Sequence, residues 1–110
     1  FGRIIGSFQG LQHRAAHLFS ELALTRSAVL KAAQLADTSL EGLSVMASIA
    51  KARACKTAEL ATNEAIQMHG GIGMTDEYDV GFFIKRARAV QNLYGGYNHH
   101  VDRFASLSGY

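Results

Sequence analysis

Apolar residues recur at steps of four and three along the first third of the chain, the spacing of one face of an α-helix. Ser7 is suited to cap this segment at its start, and the turn-like residues 37–39 end it. The pattern therefore predicts a helix over residues 7–36. Its apolar stripe comprises Leu11, Ala15, Leu18, Leu22, Thr25, Val29, Ala33 and Ala36, widened by Phe19 and Leu30.

A second segment repeats this spacing with smaller side chains. Ser39 can cap its start, Glu41 lies in its first turn, and Gly70 after His69 fits the position that closes a helix. Because alanine lets neighbouring helices approach closely, we expect this helix to be central. Its stripe comprises Leu43, Ala47, Ala50, Ala54, Thr57, Ala61, Ala65 and Met68.

Two shorter helices are predicted after the glycine-rich residues 70–73. One runs from Asp79 to Leu93 and the other from Asn98 to Leu107. No segment alternates with period two. The fold class is therefore all-α, an up-and-down four-helix bundle with two long and two shorter helices. The stripes of the short helices comprise Phe83, Ala87, Val90 and Tyr94 in one, and Val101, Phe104 and Ala105 in the other.

Length and composition indicate which classes of protein are compatible with this chain. The 110 residues, 1–110, amount to one domain, and a charged fraction of 18% argues against disorder. Proline is absent, and windows 11–41 and 43–69 contain no glycine either, so a helix can run through each. The chain begins at Phe1 rather than methionine. We therefore expect it to be part of a longer polypeptide.

Charge and cysteine content exclude further classes. One cysteine, Cys55, is incompatible with a disulfide scaffold and favours a reducing, cytoplasmic setting. No signal-peptide pattern and no apolar run of about 18 residues is present, so no membrane span is expected. A net charge of +2 is too small to indicate a nucleic-acid partner.

Several polar groups have residue types that occur in metal or anion sites. His13 and His17 have a zinc-binding spacing but no third ligand nearby, so surface histidines are favoured. The adjacent histidines 99 and 100 are interpreted as solvated or at an interface, and Cys55 as a small core residue. No metal site is expected. The acidic residues Asp76, Glu77 and Asp79 are interpreted as a solvated loop, and Lys85, Arg86, Arg88 and Arg103 as a solvated basic face rather than an anion site.

Residues 67–78, QMHGGIGMTDEY, resemble the signature near the end of acyl-CoA dehydrogenases. The segment that joins Phe1-Gly2 to Phe8-Gln9 is similar to that family's Q-F-G…F-Q segment, and residues 85–88 to its basic stretch on the third helix. The three motifs occur in the family's order and spacing. The resemblance implies the C-terminal α-helical domain, without the N-terminal helical and middle β-domains.

The resemblance also implies a cofactor, a substrate and partners. The family desaturates acyl-CoA thioesters between the α and β carbons with FAD as hydride acceptor. Its C-terminal domain contacts the FAD of a neighbouring subunit, which implies a homo-oligomer, dimer or tetramer, or a paired paralogous subunit. The implied cofactor contacts are Phe1 and Gln9 for the flavin nucleotide, Gln67 and Gly71 for the diphosphate, and Asn98 near the cofactor.

The catalytic base of many relatives is the glutamate of a Y-E-G-T motif after the third helix. Here Tyr94 is placed at the position of that glutamate, and a phenol with a pKa near 10 is a poor base at neutral pH. No catalytic residue is therefore assigned within the chain. Two alternatives stay open: a non-catalytic subunit or assembly module, and a related flavin-dependent oxidase or hydroxylase of the same fold.

Overall fold

The computed structural model describes residues 1–110 and is all-α, as predicted. It contains two long and two shorter α-helices, which confirms the expected fold class. Short 3₁₀ turns at Ile5–Ser7 and Gly70–Met74 precede α1 and follow α2. The helices are α1 at Gln9–Thr38, α2 at Leu43–His69, α3 at Val80–Asn92 and α4 at Tyr97–Leu107.

Helix α2 lies at the centre, because α1, α3 and α4 each pack against it. Thr57 on one face hydrogen bonds to Thr25 of α1, with 2.7 Å between the hydroxyl oxygens. Cys55 lies about 200° around the helix from Thr57, on nearly the opposite face. The backbone carbonyl of Cys55 accepts a 2.7 Å hydrogen bond from the side chain of Gln91 in α3. The central position expected from the alanine stripe is thus confirmed.

The seam between α1 and α2 is more polar than the sequence pattern indicated. Arg14 forms a two-pronged ion pair with Glu64, with nitrogen–oxygen distances of 2.7 and 3.1 Å. Arg53 donates to Glu21 at 2.7 Å. Together with the Thr25–Thr57 contact, these pairs define the antiparallel register of the two helices. The less exposed residues of α1 along this seam are Leu11, Leu18, Glu21, Thr25, Ala28, Ala32 and Leu35.

The apolar stripe predicted for α1 is therefore only partly the buried one. Ala15, Leu22, Val29, Ala33 and Ala36 are all exposed. Each lies one position after a residue of the seam, and one residue turns a helix by about 100°. The helix consequently carries two adjacent stripes, and α2 covers the one that includes Glu21 and Thr25.

The helix ends also correct the sequence interpretation at two places. Ser7 does not cap α1, because its hydroxyl donates to the carbonyl of Ile4 and Phe8 occupies the N-cap position. Ser39 terminates α1 instead of capping α2. Gly70 ends α2 with a φ of 67°, as expected of a glycine that closes a helix.

The faces predicted for the short helices are only partly the buried ones, since Ala87, Val90 and Ala105 are half-buried and the other predicted residues are exposed. In α3, Val80 is buried while Phe83 is 66% exposed, so the inner face passes through Val80, Ile84, Ala87 and Gln91. In α4 the buried residue is His100, so of the two expectations for it, solvated or at an interface, the solvated one is wrong. Arg103 lies beside it and donates to the Ser48 hydroxyl and the Ser44 carbonyl, at 2.7 and 2.8 Å. Arg103 is therefore not part of the basic face on α3.

Few residues are fully enclosed. Only 8 of the 110 residues are buried, and Ser48 is the one side chain with no exposed surface. Cys55 is among the buried residues, as predicted. None of the helices combines the length and the apolar character needed to cross a membrane. The buried residues other than Gly73 are Ala28, Ser48, Ala50, Cys55, Thr57, Val80 and His100.

Candidate functional site

Four of the implied cofactor residues lie at one end of the α1–α2 pair. The Arg14–Glu64 ion pair joins the first turns of α1 to the last turns of α2. It therefore brings the segment of Phe1 and Gln9 to the same end as Gln67 and Gly71. The hydrogen bond with Glu64 raises the pKa of the Arg14 guanidinium above its ordinary value, with a smaller electrostatic contribution from the same carboxylate. The Arg14 side chain therefore stays charged at every pH at which the protein is folded.

An open apolar cavity of about 520 Å³ lies at this end. The rings of Phe1 and Phe8 meet edge to face with their centroids 6.1 Å apart. The Arg3 guanidinium lies 4.1 Å from the Phe8 ring centre. An aromatic, apolar wall with the Arg3 guanidinium beside it suits a planar ring that carries an anionic group. The cavity is lined by Phe1, Ile5, Phe8, Gly10, Leu11 and Arg14.

The glycine-rich turn that follows α2 forms the other side of this end. Gly71 is exposed, and a β-carbon built there would meet no atom within 4 Å. Its backbone is therefore open to a close-lying ligand. Gly73 is enclosed, since a β-carbon would lie 2.8 Å from the Ile66 carbonyl oxygen and 2.9 Å from the His69 β-carbon. The two glycines thus serve different purposes, one on the surface and one in packing against α2.

Asn98 and Tyr94 lie apart from the other four residues. They flank the start of α4, where the Lys56 ammonium sits 4.7 Å from the centre of the Tyr97 ring. From Lys56 to Gln67 helix α2 rises about 17 Å. The residues implied by the resemblance therefore form two groups, one at the end of α2 and one beside its middle.

The backbone at Tyr94 and Gly95 has an unusual conformation. Tyr94 is 95% exposed with a φ of 60°, and its carbonyl accepts a 3.0 Å hydrogen bond from Nε2–H of His100. Gly95 has a φ of 97°, and a β-carbon there would lie 2.3 Å from the His99 ring. The segment is thus shaped for glycine at residue 95. It presents a phenol and no carboxylate to its surroundings.

The histidines of α1 and the basic residues of α3 do not come together with other candidate residues to form a site. His13 and His17 are exposed on α1, and no three histidine, cysteine or acidic side chains come together in the structure. Lys85, Arg86 and Arg88 are exposed on α3 without ion pairs, in agreement with a solvated face.

Sequence reasoning did not single out Ile5, Arg3 and Arg14 at the candidate site. Arg14 could have been found from the antiparallel arrangement, because residues near the start of α1 must then face those near the end of α2. Arg3 and Ile5 belong to an irregular segment without periodicity, so no pattern in the sequence pointed to their side chains.

Comparisons with known proteins agree with the resemblance. The family model described as "Acyl-CoA dehydrogenase, C-terminal domain" matches residues 1–105. Among curated relatives, acyl-CoA dehydrogenase IpdE2 of Mycolicibacterium smegmatis is 39% identical over 95 residues, 86% of this chain and 29% of that protein. The short/branched chain specific acyl-CoA dehydrogenase, mitochondrial, of Rattus norvegicus is 36% identical over 96 residues, 87% of this chain and 22% of that protein.

Acyl-CoA dehydrogenase FadE34 of Mycobacterium tuberculosis is 31% identical over 109 residues, which cover 98% of this chain and 15% of that protein. The chain thus spans less than a third of the length of these relatives. No solved structure gives a significant match.

Proposed function

Because this chain belongs to the acyl-CoA dehydrogenase family, we propose that it is the C-terminal domain of an FAD-dependent enzyme that desaturates acyl-CoA thioesters. In this proposal it contributes contacts to FAD across a subunit interface. The observation that carries the proposal is the aromatic cavity at Phe1 and Phe8, at the same end of the α1–α2 pair as Gln67 and the open backbone of Gly71.

The residues at this end suit the two chemical parts of a flavin dinucleotide. Phe1 and Phe8 would bind a planar ring by edge and face contacts. The side-chain amide of Gln67 and the backbone N–H of Gly71 would donate hydrogen bonds to phosphate oxygens. Arg3 would add positive charge near the same group. Bound FAD would supply the hydride acceptor for oxidation at the β carbon of the thioester.

The proton acceptor for this reaction would come from outside the segment that begins at Tyr94. The motif Y-E-G-T can be aligned with residues 93–97 in two ways. If its tyrosine is placed on Tyr94, Gly95 stands at the position of the glutamate. If the motif is shifted one residue towards the N-terminus, Tyr94 stands at that position. Neither residue is a carboxylate. This favours a base elsewhere in the full-length protein, with a non-catalytic subunit paired to a competent paralogue as the second candidate.

The expected reaction can be tested on the purified full-length gene product. We expect a flavin absorption band that bleaches when an acyl-CoA thioester is added, because reduction removes the oxidised chromophore. Light scattering on the same sample should give the mass of a dimer or tetramer. A flavin band that no chain length of thioester bleaches would contradict the dehydrogenase and favour the oxidase, the hydroxylase or the non-catalytic subunit.

We expect replacement of Gln67 by alanine in the full-length protein to weaken FAD binding by about tenfold, the loss of one hydrogen bond to a charged group. The matched control is Gln34→Ala, an exposed glutamine near the far end of α1. Flavin retained after dialysis gives the measurement. Equal retention by both variants would remove Gln67 from the site, while the thioester test would still stand on its own.

A further inference from the structure

Residues 93–96 join α3 to α4, and we call them the link segment. The helices on both sides of it are tied to α2. The Lys51 ammonium donates to the carbonyl of Val90 in the last turn of α3, with 2.7 Å between nitrogen and oxygen. Arg103 of α4 donates to the Ser48 hydroxyl, also at 2.7 Å. Because both ends are held against the same helix, the link segment has little freedom to take another path.

Tyr94 in the link segment has a left-handed backbone that its place in the chain does not explain. The only other residue of this kind that is not glycine is Leu40, with a φ of 58°. Leu40 closes α1, because its N–H donates to the Leu35 carbonyl at 3.1 Å. The N–H of Tyr94 makes no such bond, and α3 has already ended at Leu93 in an extended conformation. Since this backbone is disfavoured for tyrosine, a contact from elsewhere must hold it.

His100 provides that contact. Its Nε2–H donates to the carbonyl oxygen of Tyr94 over 3.0 Å, the one hydrogen bond from a side chain to the link segment. Because a carbonyl can only accept, the ring carries its hydrogen on Nε2. The residue is 9% exposed, so packing fixes the orientation of the ring. A buried hydrogen bond therefore maintains a backbone conformation that tyrosine would otherwise avoid.

The side chain of Tyr94 gains no packing from this arrangement. It is 95% exposed, so no contact within the 110 residues accounts for holding it in place. Disfavoured backbone conformations persist where the surrounding structure enforces them, and they cluster at sites that bind ligands. The arrangement thus holds an aromatic ring at a defined position for a group that lies outside this domain.

We propose that His100 is a positioning residue for thioester binding, which holds the carbonyl of Tyr94 so that the tyrosine ring lies against the bound acyl-CoA thioester. The inference rests on the proposed function, in which the full-length protein binds such a thioester. His100 touches neither thioester nor flavin and acts only through Tyr94. A ring that is already held in place loses less conformational freedom when the ligand binds, so it contributes more to affinity.

The test uses the full-length protein titrated with butanoyl-, octanoyl- and palmitoyl-CoA. The thioester that changes the flavin absorbance most gives the half-saturating concentration. We expect His100→Met, which fills the space but cannot donate, to raise that concentration about fivefold. His100→Gln, whose amide can donate to the same carbonyl, should stay within about twofold of the unchanged protein. Equal half-saturation by the two variants would overturn the proposal.

A double-mutant cycle separates positioning from a general effect on the fold. Tyr94→Ala keeps the carbonyl but has no ring to place, so His100→Met should have no further effect on thioester binding in that background. An effect of His100→Met that persists there would overturn the proposal, because His100 would then act on the fold alone. The matched control is Arg103→Met, which removes a hydrogen bond between α4 and α2 and should lower the melting temperature without changing the half-saturating concentration.

A second measurement does not depend on the reaction. Chymotrypsin cuts after tyrosine where the backbone opens locally, and the fragments can be identified by mass spectrometry. Cleavage after Tyr94 should be about fivefold faster in His100→Met and unchanged in His100→Gln. That result without any response to thioesters would contradict the proposed function and leave His100 as the residue that holds Tyr94. Equal cleavage rates with a normal thioester response would overturn the inference and leave the proposed function standing.

Discussion

Replacement of Ser48 by leucine is expected to lower the free energy of unfolding by about 3 kcal/mol. Ser48 is the one fully enclosed side chain, where α2 meets α4. Its hydroxyl accepts a 2.7 Å hydrogen bond from Arg103. Leucine would overfill the contact and also remove the acceptor from the guanidinium. Urea denaturation followed by circular dichroism would give the value.

The matched control is Ser44→Leu, one turn earlier on the same helix. Ser44 is exposed, and Arg103 uses its backbone carbonyl rather than its side chain. The same chemical change there should alter the free energy of unfolding by less than about 0.5 kcal/mol. If the two leucine variants were equally stable, the close approach of α2 and α4 at Ser48 would be wrong.

The second large effect is expected in the glycine-rich turn. Gly73→Ala places a β-carbon 2.8 Å from the Ile66 carbonyl oxygen, a backbone atom in the last turns of α2. The helix end or the turn must then shift, at a cost of about 1 to 3 kcal/mol. We expect a correspondingly lower melting temperature, measured by calorimetry.

Gly71→Ala is the natural comparison, two residues earlier. A β-carbon at Gly71 meets nothing within 4 Å, so we expect the melting temperature to stay near that of the unchanged protein. In the full-length protein we expect the same substitution to weaken FAD binding, because our proposal places the backbone of Gly71 against the diphosphate. A stable Gly73→Ala variant would contradict the tight packing of this turn.

The candidate site was only partly accessible from the sequence. The motifs indicated Phe1, Gln9, Gln67 and Gly71, and the antiparallel packing of α1 on α2 explains why residues so far apart in sequence share one end. The contribution of Arg3 could not be predicted. It depends on how an irregular segment folds back over Phe8, and such a segment has no periodicity to interpret.

The burial of His100 shows a similar limit. As one of two adjacent histidines on a short helix, it had no feature that distinguished it from His99. In the fold its ring turns inward and holds the carbonyl of Tyr94, while His99 lies against Gly95. Only the path of the chain between α3 and α4 separates the two rings, and that path depends on the left-handed backbone at Tyr94 and Gly95.

The sequence by itself determined the all-α class, the four helices and the central place of the alanine-rich α2. These follow from local rules: the helical period of 3.6 residues, the scarcity of breakers and the size of side chains. The tertiary structure alone decided which stripe of α1 is buried. Both stripes are apolar enough to pack, and the choice depends on polar partners across the seam, Glu64 for Arg14 and Arg53 for Glu21. Such complementarity involves residues distant in sequence, so periodicity within one helix does not reveal it.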